Sequence, residues 1–170
     1  MLPKSYLVLK WTVYGLATLA LFALQFMVLR HIQVMGVFPF IYPLFPAVVA
    51  SYEGLRRGSV FGLVLGVVCD VLVFGPFDGF YTVLFTLIGL ISALIAENLL
   101  APGYLCGLVT GSAALVITGA ARILLQLMGG NTHLLLMGRI LLVETLLSLP
   151  ALLVIVPLYR VIHQKCASEY

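Results

Sequence analysis

From Trp11 to Tyr159 the chain reads as long apolar stretches interrupted by short polar or Gly/Pro-rich gaps, and most of its charges fall in those gaps. A hydrocarbon core of about 30 Å takes about 20 apolar residues per helix, fewer where a helix is kinked or thins the bilayer. Cut by that rule, the pattern predicts six transmembrane helices, at about 11–29, 37–52, 59–74, 80–97, 103–128 and 140–159. The stretches do not alternate at period two, which argues against a closed barrel. The expected fold class is therefore all-α, a polytopic integral membrane helical bundle. Residues 1–170 are expected to form a single transmembrane domain, since the loops are too short for a second folded unit. Lys4 and Lys10 could open a signal peptide, but the apolar stretch that follows is too long and lacks a small-residue cleavage site. The first span is read as uncleaved.

Composition strengthens this picture: 63% of residues are hydrophobic and only 9% charged, against about 25% charge in an ordinary soluble domain. Lys and Arg near the ends of short loops set orientation. With the N-terminus inside, the cytoplasmic segments carry six (Lys4, Lys10, Arg56, Arg57, Arg160, Lys165) and the outer loops two (Arg30, Arg139). Both termini are therefore expected in the cytoplasm, with Trp11, Tyr52, Tyr104 and Tyr159 as aromatic anchors at the inner boundary. A five-span alternative, in which the proline-rich second segment only dips into the membrane, would place the C-terminus outside. The net charge of +3 is accounted for by this loop bias and does not imply nucleic acid. Cys69 and Cys106 lie in spans and Cys166 in the tail, a spacing that builds neither a disulfide framework nor a metal site.

Helix contacts are written in the small residues. Gly58, Gly62, Gly66 and Asp70 recur every four residues, which in a helix makes one ridge that another backbone can approach closely. Gly103, Gly107, Gly111 and Gly119 mark a similar face on the fifth span, and the two faces could pack together. Against both readings stands the general abundance of glycine in membrane helices. In the second span Pro39, Pro43 and Pro46 each remove a backbone donor, so a straight helix is not expected there. Either a broken helix lines a cavity or docking groove, or a kink is filled by packing.

An ionisable residue at the centre of a membrane helix costs about 2.5–3.5 kcal/mol on insertion scales. Asp70 lies about 16 Å into the third span at 1.5 Å per residue. Arg122 and Glu144 fall at matching depths near the outer ends of the fifth and sixth spans, and Glu97 at the inner end of the fourth can reach headgroups. An Arg122–Glu144 ion pair, or a triad with Asp70, is expected; fixing helix register is the plainer role and a transport or proton pathway the more specialised one.

Catalysis finds little support. His31, His133 and His163 lie at span ends or in loops with no i, i+4 metal pair, and Ser112 lacks the surroundings of a nucleophile elbow. Asp78-Gly79 could begin a phospholipid-synthase signature, but the rest of that motif does not follow. Neither a cofactor nor a metal is expected.

The stretch Gly62-Leu-Val-Leu-Gly66-Val-Val-Cys-Asp70-Val-Leu, followed by Gly75-Pro76-Phe77-Asp78-Gly79-Phe80-Tyr81 and Gly89, resembles the core of the rod shape-determining protein MreD family. In that family a glycine-rich helix ending in an aspartate leads through a short glycine turn into an aromatic-rich helix. Pro39 and the Arg56-Arg57 pair also fit, and the resemblance covers about residues 35–98. Asp78 departs from it at a usually apolar place, as do the extra prolines of the second span.

The resemblance implies a non-enzymatic scaffold subunit of the cell-elongation machinery in a bacterial inner membrane. It would bind MreC, a single-pass protein, and help couple cytoplasmic filaments to the peptidoglycan glycosyltransferase and transpeptidase, amid membrane lipid. Gly62, Gly66, Asp70 and Gly79 carry over as family-pattern positions. Candidate docking surfaces are the broken second helix at Pro39, Pro43 and Pro46 and the turn around Phe77, Gly79 and Tyr81. A rival is the substrate-binding membrane subunit of an energy-coupling-factor vitamin transporter, also a small six-span protein. Against it, Ala17, Ala20 and Ala23 recur at intervals of three, without the usual Ala-xxx-Ala pair, and few polar side chains are expected in the outer half.

Overall fold

The computed structural model describes residues 4–27, 36–73, 75, 77–129 and 134–168. Among them the chain forms five helices, α1 (Lys4–Met27), α2 (Leu44–Leu72), α3 (Phe80–Asn98), α4 (Tyr104–Met128) and α5 (Leu134–Ser168). No β-strand occurs among the described residues. Four segments are long and apolar enough to cross a membrane: Val8–Met27, Phe80–Asn98, Tyr104–Met128 and Met137–Lys165. The chain is thus an all-α membrane protein, and the predicted boundaries of the fourth and fifth spans hold to within a residue.

Six separate spanning helices are not found. The expected second and third spans are one element, α2, whose middle carries Glu53, Arg56 and Arg57. Its helical geometry breaks at Gly54 (φ 77°, ψ −177°), a conformation that a Cβ would strain. There the chain folds back on itself: a Cβ on Gly58 would strike Ala50, and one on Gly62 would lie 3.5 Å from the Cβ of Pro46. The arms 44–53 and 55–72 therefore run antiparallel.

The prolines explain why the first arm starts late. Pro43 occupies the N-cap and Pro46 the third helical position, where a backbone N–H has no intrahelical acceptor to lose. Residues 38–41 stay non-helical, and side chains satisfy the freed backbone there: Gln25 donates to the Pro39 carbonyl (2.7 Å) and accepts from the Ile41 amide (3.3 Å). Ser148 Oγ accepts from the Phe40 amide at 3.0 Å.

Every residue from 44 to 51 is buried, which suits a segment without a polar face. This arm is the centre of the bundle, packed with Tyr14, Phe85, Ile88, Ile155 and Val156. Polarity is inverted on the outside, where Val60, Val64, Val67 and Val71 stay exposed along the second arm. A row of exposed valines is a liability in water and ordinary against lipid.

Candidate functional site

The glycine ridge does not meet the glycine face of α4. A Cβ on Gly66 would lie 2.5 Å from Thr82 Cα and 2.6 Å from the Tyr81 carbonyl oxygen, and one on Gly62 would strike the carbonyl of Phe85. The ridge thus lies on the α3 backbone, with Gly58 against the folded-back arm. The α4 face turns to α5 instead, where Val156 fits over Gly107, Leu152 over Gly111 and Leu141 over Gly119. Of the pairings that the spacing left open, the structure has two separate seams, and the glycine faces do not meet each other.

Each seam has a charged clasp at the same end of the bundle. Asp70 on α2 accepts from the Tyr81 amide (2.8 Å), the Thr82 amide (2.9 Å) and the Thr82 hydroxyl (2.5 Å). The N-cap residue of α3 is Gly79, which has no side chain, so Asp70 caps the second and third amides of α3 from a neighbouring helix. Arg122 on α4 pairs with Glu144 on α5 at 2.8 Å, as expected from their matching depths. Its guanidinium also donates to the Tyr81 hydroxyl (3.3 Å) and lies 4.0 Å over the Phe40 ring. The triad with Asp70 does not form, because Asp70 is engaged by backbone; Tyr81 bridges the two clasps, its amide on Asp70 and its hydroxyl on Arg122.

A cavity of about 670 Å³ opens at this end, lined by Gln25, Phe40, Tyr81, Arg122, Arg139 and Glu144 among others. This half is therefore more polar than its sequence suggests.

The expected docking residues separate sharply. Pro39, Pro43 and Pro46 are buried, as are Tyr81 (3% exposed) and Phe40 (4%): the helical part of the second segment is core, while Val37, Phe38, Phe40 and Tyr42 ahead of it line the cavity. Gly79 is half-buried in a left-handed turn (φ 86°), and Phe77 stands out at 52% exposure. His31, His133 and Arg30 lie outside the described residues, as does the side chain of Cys166.

A second cluster, at the opposite end, had no counterpart in the sequence reading. The side chain of Glu53 at the α2 turn is 1% exposed and receives Lys10 Nζ at 2.5 Å, with Arg57 at 3.6 Å. The Tyr14 hydroxyl donates to it at 3.1 Å, and His163 Nδ1 lies 3.0 Å away. Glu53 stands at the fold-back, outside the four spanning segments. Burial pushes its carboxyl up, but the bonds from Lys10, His163 and Tyr14 outweigh that and hold it below its ordinary range. Glu97, at the end of α3, accepts the Leu55 amide at 3.2 Å beside the same turn. The signal for this cluster was the shared depth of Lys10, Glu53 and His163 at one boundary.

No protein-family model, curated protein or solved structure matches this chain.

Proposed function

We propose that the chain is a non-enzymatic scaffold subunit of the cell-elongation machinery of a bacterial cytoplasmic membrane, and that it binds an MreC-like single-pass partner. One observation carries this reading: of the positions behind the MreD resemblance, Gly62, Gly66 and Asp70 are where α2 and α3 are clasped. These residues serve to hold a rigid unit. In this reading both arms of α2 lie within the bilayer, so the chain passes across six times with both termini in the cytoplasm. The Glu53 cluster supports that topology, since it gathers the start of α1, the turn of α2 and the end of α5 at one face. The partner docks at the opposite face, on the turn at Phe77 and Gly79 and along the exposed valines of the second arm. The cell-wall glycosyltransferase and transpeptidase join through that partner.

Depletion in the native cell with imaging tests the role: rods should round up, and a single-pass partner should copurify in a manner sensitive to Phe77→Asp. Normal shape, with no such partner, would overturn it.

The cavity favours a second reading, the substrate-binding subunit of a vitamin transporter, because arginines, a glutamate and a glutamine line a space of ligand size. A vitamin retained through purification, together with lost uptake on depletion, would establish that reading in place of the first.

A further inference from the structure

The cavity walled by the ends of α1 and α2 and the start of α5 holds both members of the Arg122–Glu144 pair in its lining. Neither member is saturated by the other. Arg122 gives one N–H to Glu144 Oε1 and one to the Tyr81 hydroxyl, so two of the five donors of a guanidinium are spent and three remain. Glu144 Oε2 has no hydrogen-bond partner among the described residues, and the two side chains keep 27% and 18% of their surface exposed. The Tyr81 hydroxyl accepts from Arg122, which leaves its own hydrogen to be donated. Arg139 also lines the cavity but is engaged by a contact of its own, and it is not counted among the groups open to a ligand.

A ligand of one charge fits such a pair poorly. An anion drawn to Arg122 meets the Glu144 carboxylate beside it, and a cation drawn to Glu144 meets the guanidinium. A zwitterion with its two charges close together answers both at once. Its phosphate takes the spare donors of Arg122 and Tyr81, and its ammonium gives to Glu144 Oε2. That ammonium has to be a primary one, since –NH₃⁺ carries three donors and a quaternary nitrogen none. The rest of the lining is apolar: Phe26, Phe38 and Leu72 are exposed at the cavity, and Val37, Ile140 and Val143 add further wall. A small hydrophilic zwitterion leaves these walls unmatched, whereas an amphiphile covers them with its chain.

We propose that this cavity binds the phosphoethanolamine head of a membrane lipid, its phosphate at Arg122 and Tyr81 and its ammonium at Glu144, with the chain leaving over Phe26, Phe38 and Leu72. The site requires only that the bundle sit in a bilayer and is independent of the elongation role. Its volume of about 670 Å³ lies within the range of small-molecule sites and holds a headgroup with the first part of a chain. Arg122 is held ready for this role from three sides, by Glu144, by Tyr81 and by the Phe40 ring 4.0 Å away, and Tyr81 is fixed in turn by its amide on Asp70.

Native mass spectrometry of the full chain in a neutral maltoside detergent tests the proposal. The titrants are dioleoyl phosphatidylethanolamine, its N-methyl and N,N-dimethyl derivatives, dioleoyl phosphatidylcholine, dioleoyl phosphatidylglycerol and soluble phosphoethanolamine. One phosphatidylethanolamine should be retained per chain, about tenfold more tightly than phosphatidylcholine or phosphatidylglycerol, with affinity falling as methyl groups replace its N–H donors. That series is read on the unaltered protein. Arg122→Gln with Glu144→Gln, which removes the pair without stranding a charge, should erase the preference for phosphatidylethanolamine. Equal retention of phosphatidylcholine, or an unchanged preference in the double variant, would mean unspecific lipid and overturn the site itself. Tighter retention of phosphatidylglycerol would mean an anion site and overturn the zwitterion. Phosphoethanolamine bound as tightly as the lipid would overturn the amphiphile.

Discussion

The α2–α3 seam and the α4–α5 seam use the same two devices, a row of glycines and a charged clasp, yet they are built from different materials. On α2, Gly62 and Gly66 face the carbonyls and Cα atoms of α3, and Asp70 grips α3 by its amides. On α4, Gly107, Gly111 and Gly119 receive the side chains of Val156, Leu152 and Leu141, and Arg122 grips the side chain of Glu144. The first seam is backbone on backbone and has no soft component. The second is side chain on glycine and can adjust by rotamer. In a bilayer, where lipid tails are as apolar as leucine, close packing and polar contacts must supply the association that water would otherwise drive. The rigid seam therefore suits a fixed platform, and the adjustable one borders the cavity.

Substitution should separate the two seams. The largest effect is expected from Gly66→Leu, which drives a side chain into the backbone of Thr82 and should cost on the order of 5 kcal/mol, with loss of assembled protein from membranes. Val67→Leu, one residue away and facing outward, should accumulate normally; equal loss in both would erase the distinction. Next comes Arg122→Glu, which breaks the α4–α5 clasp and sets two carboxylates together, at about 3–5 kcal/mol. Adding Glu144→Arg should restore part of the thermal midpoint in detergent, and no restoration would remove the pair from the stability of this seam.

Asp70→Ala should cost about 2 kcal/mol, since it leaves the amides of Tyr81 and Thr82 without their cap. A thermal midpoint in detergent equal to that of the parent would show that water or lipid replaces the carboxylate. The smallest effect is expected from Gly111→Ala, about 1 kcal/mol, because the end of Leu152 can swing aside. If Gly111→Ala proved as damaging as Gly66→Leu, the adjustable character of the second seam would be lost.

Much of this was legible from spacing alone. Apolar length marked α1, α3, α4 and α5, the four-residue glycine interval marked the ridge, and equal depth paired Arg122 with Glu144. What spacing could not convey was partner and path. A glycine ridge announces a close approach without naming the helix that approaches, and here it is the sequence-adjacent α3. The prolines disclosed a break but not its resolution. Because Pro43 and Pro46 sit where helix amides are unpaired anyway, the chain keeps a short buried helix, preceded by a non-helical stretch that lines the cavity. Glu53 carries little signal in the sequence, because Lys and Arg set orientation, and a carboxylate at the boundary becomes informative only where Lys10 and His163 converge on it.

The fold-back of α2 at Gly54 is the feature on which the proposed membrane topology depends. It can be read directly with a membrane-impermeant maleimide applied to spheroplasts carrying single cysteines at Arg57, Asp78 and Arg160, all exposed positions. Asp78→Cys should label in intact spheroplasts, whereas Arg57→Cys and Arg160→Cys should label only after permeabilisation. Labelling of Arg57→Cys together with Asp78→Cys from outside would contradict the proposed topology, in which both arms of α2 lie within the bilayer.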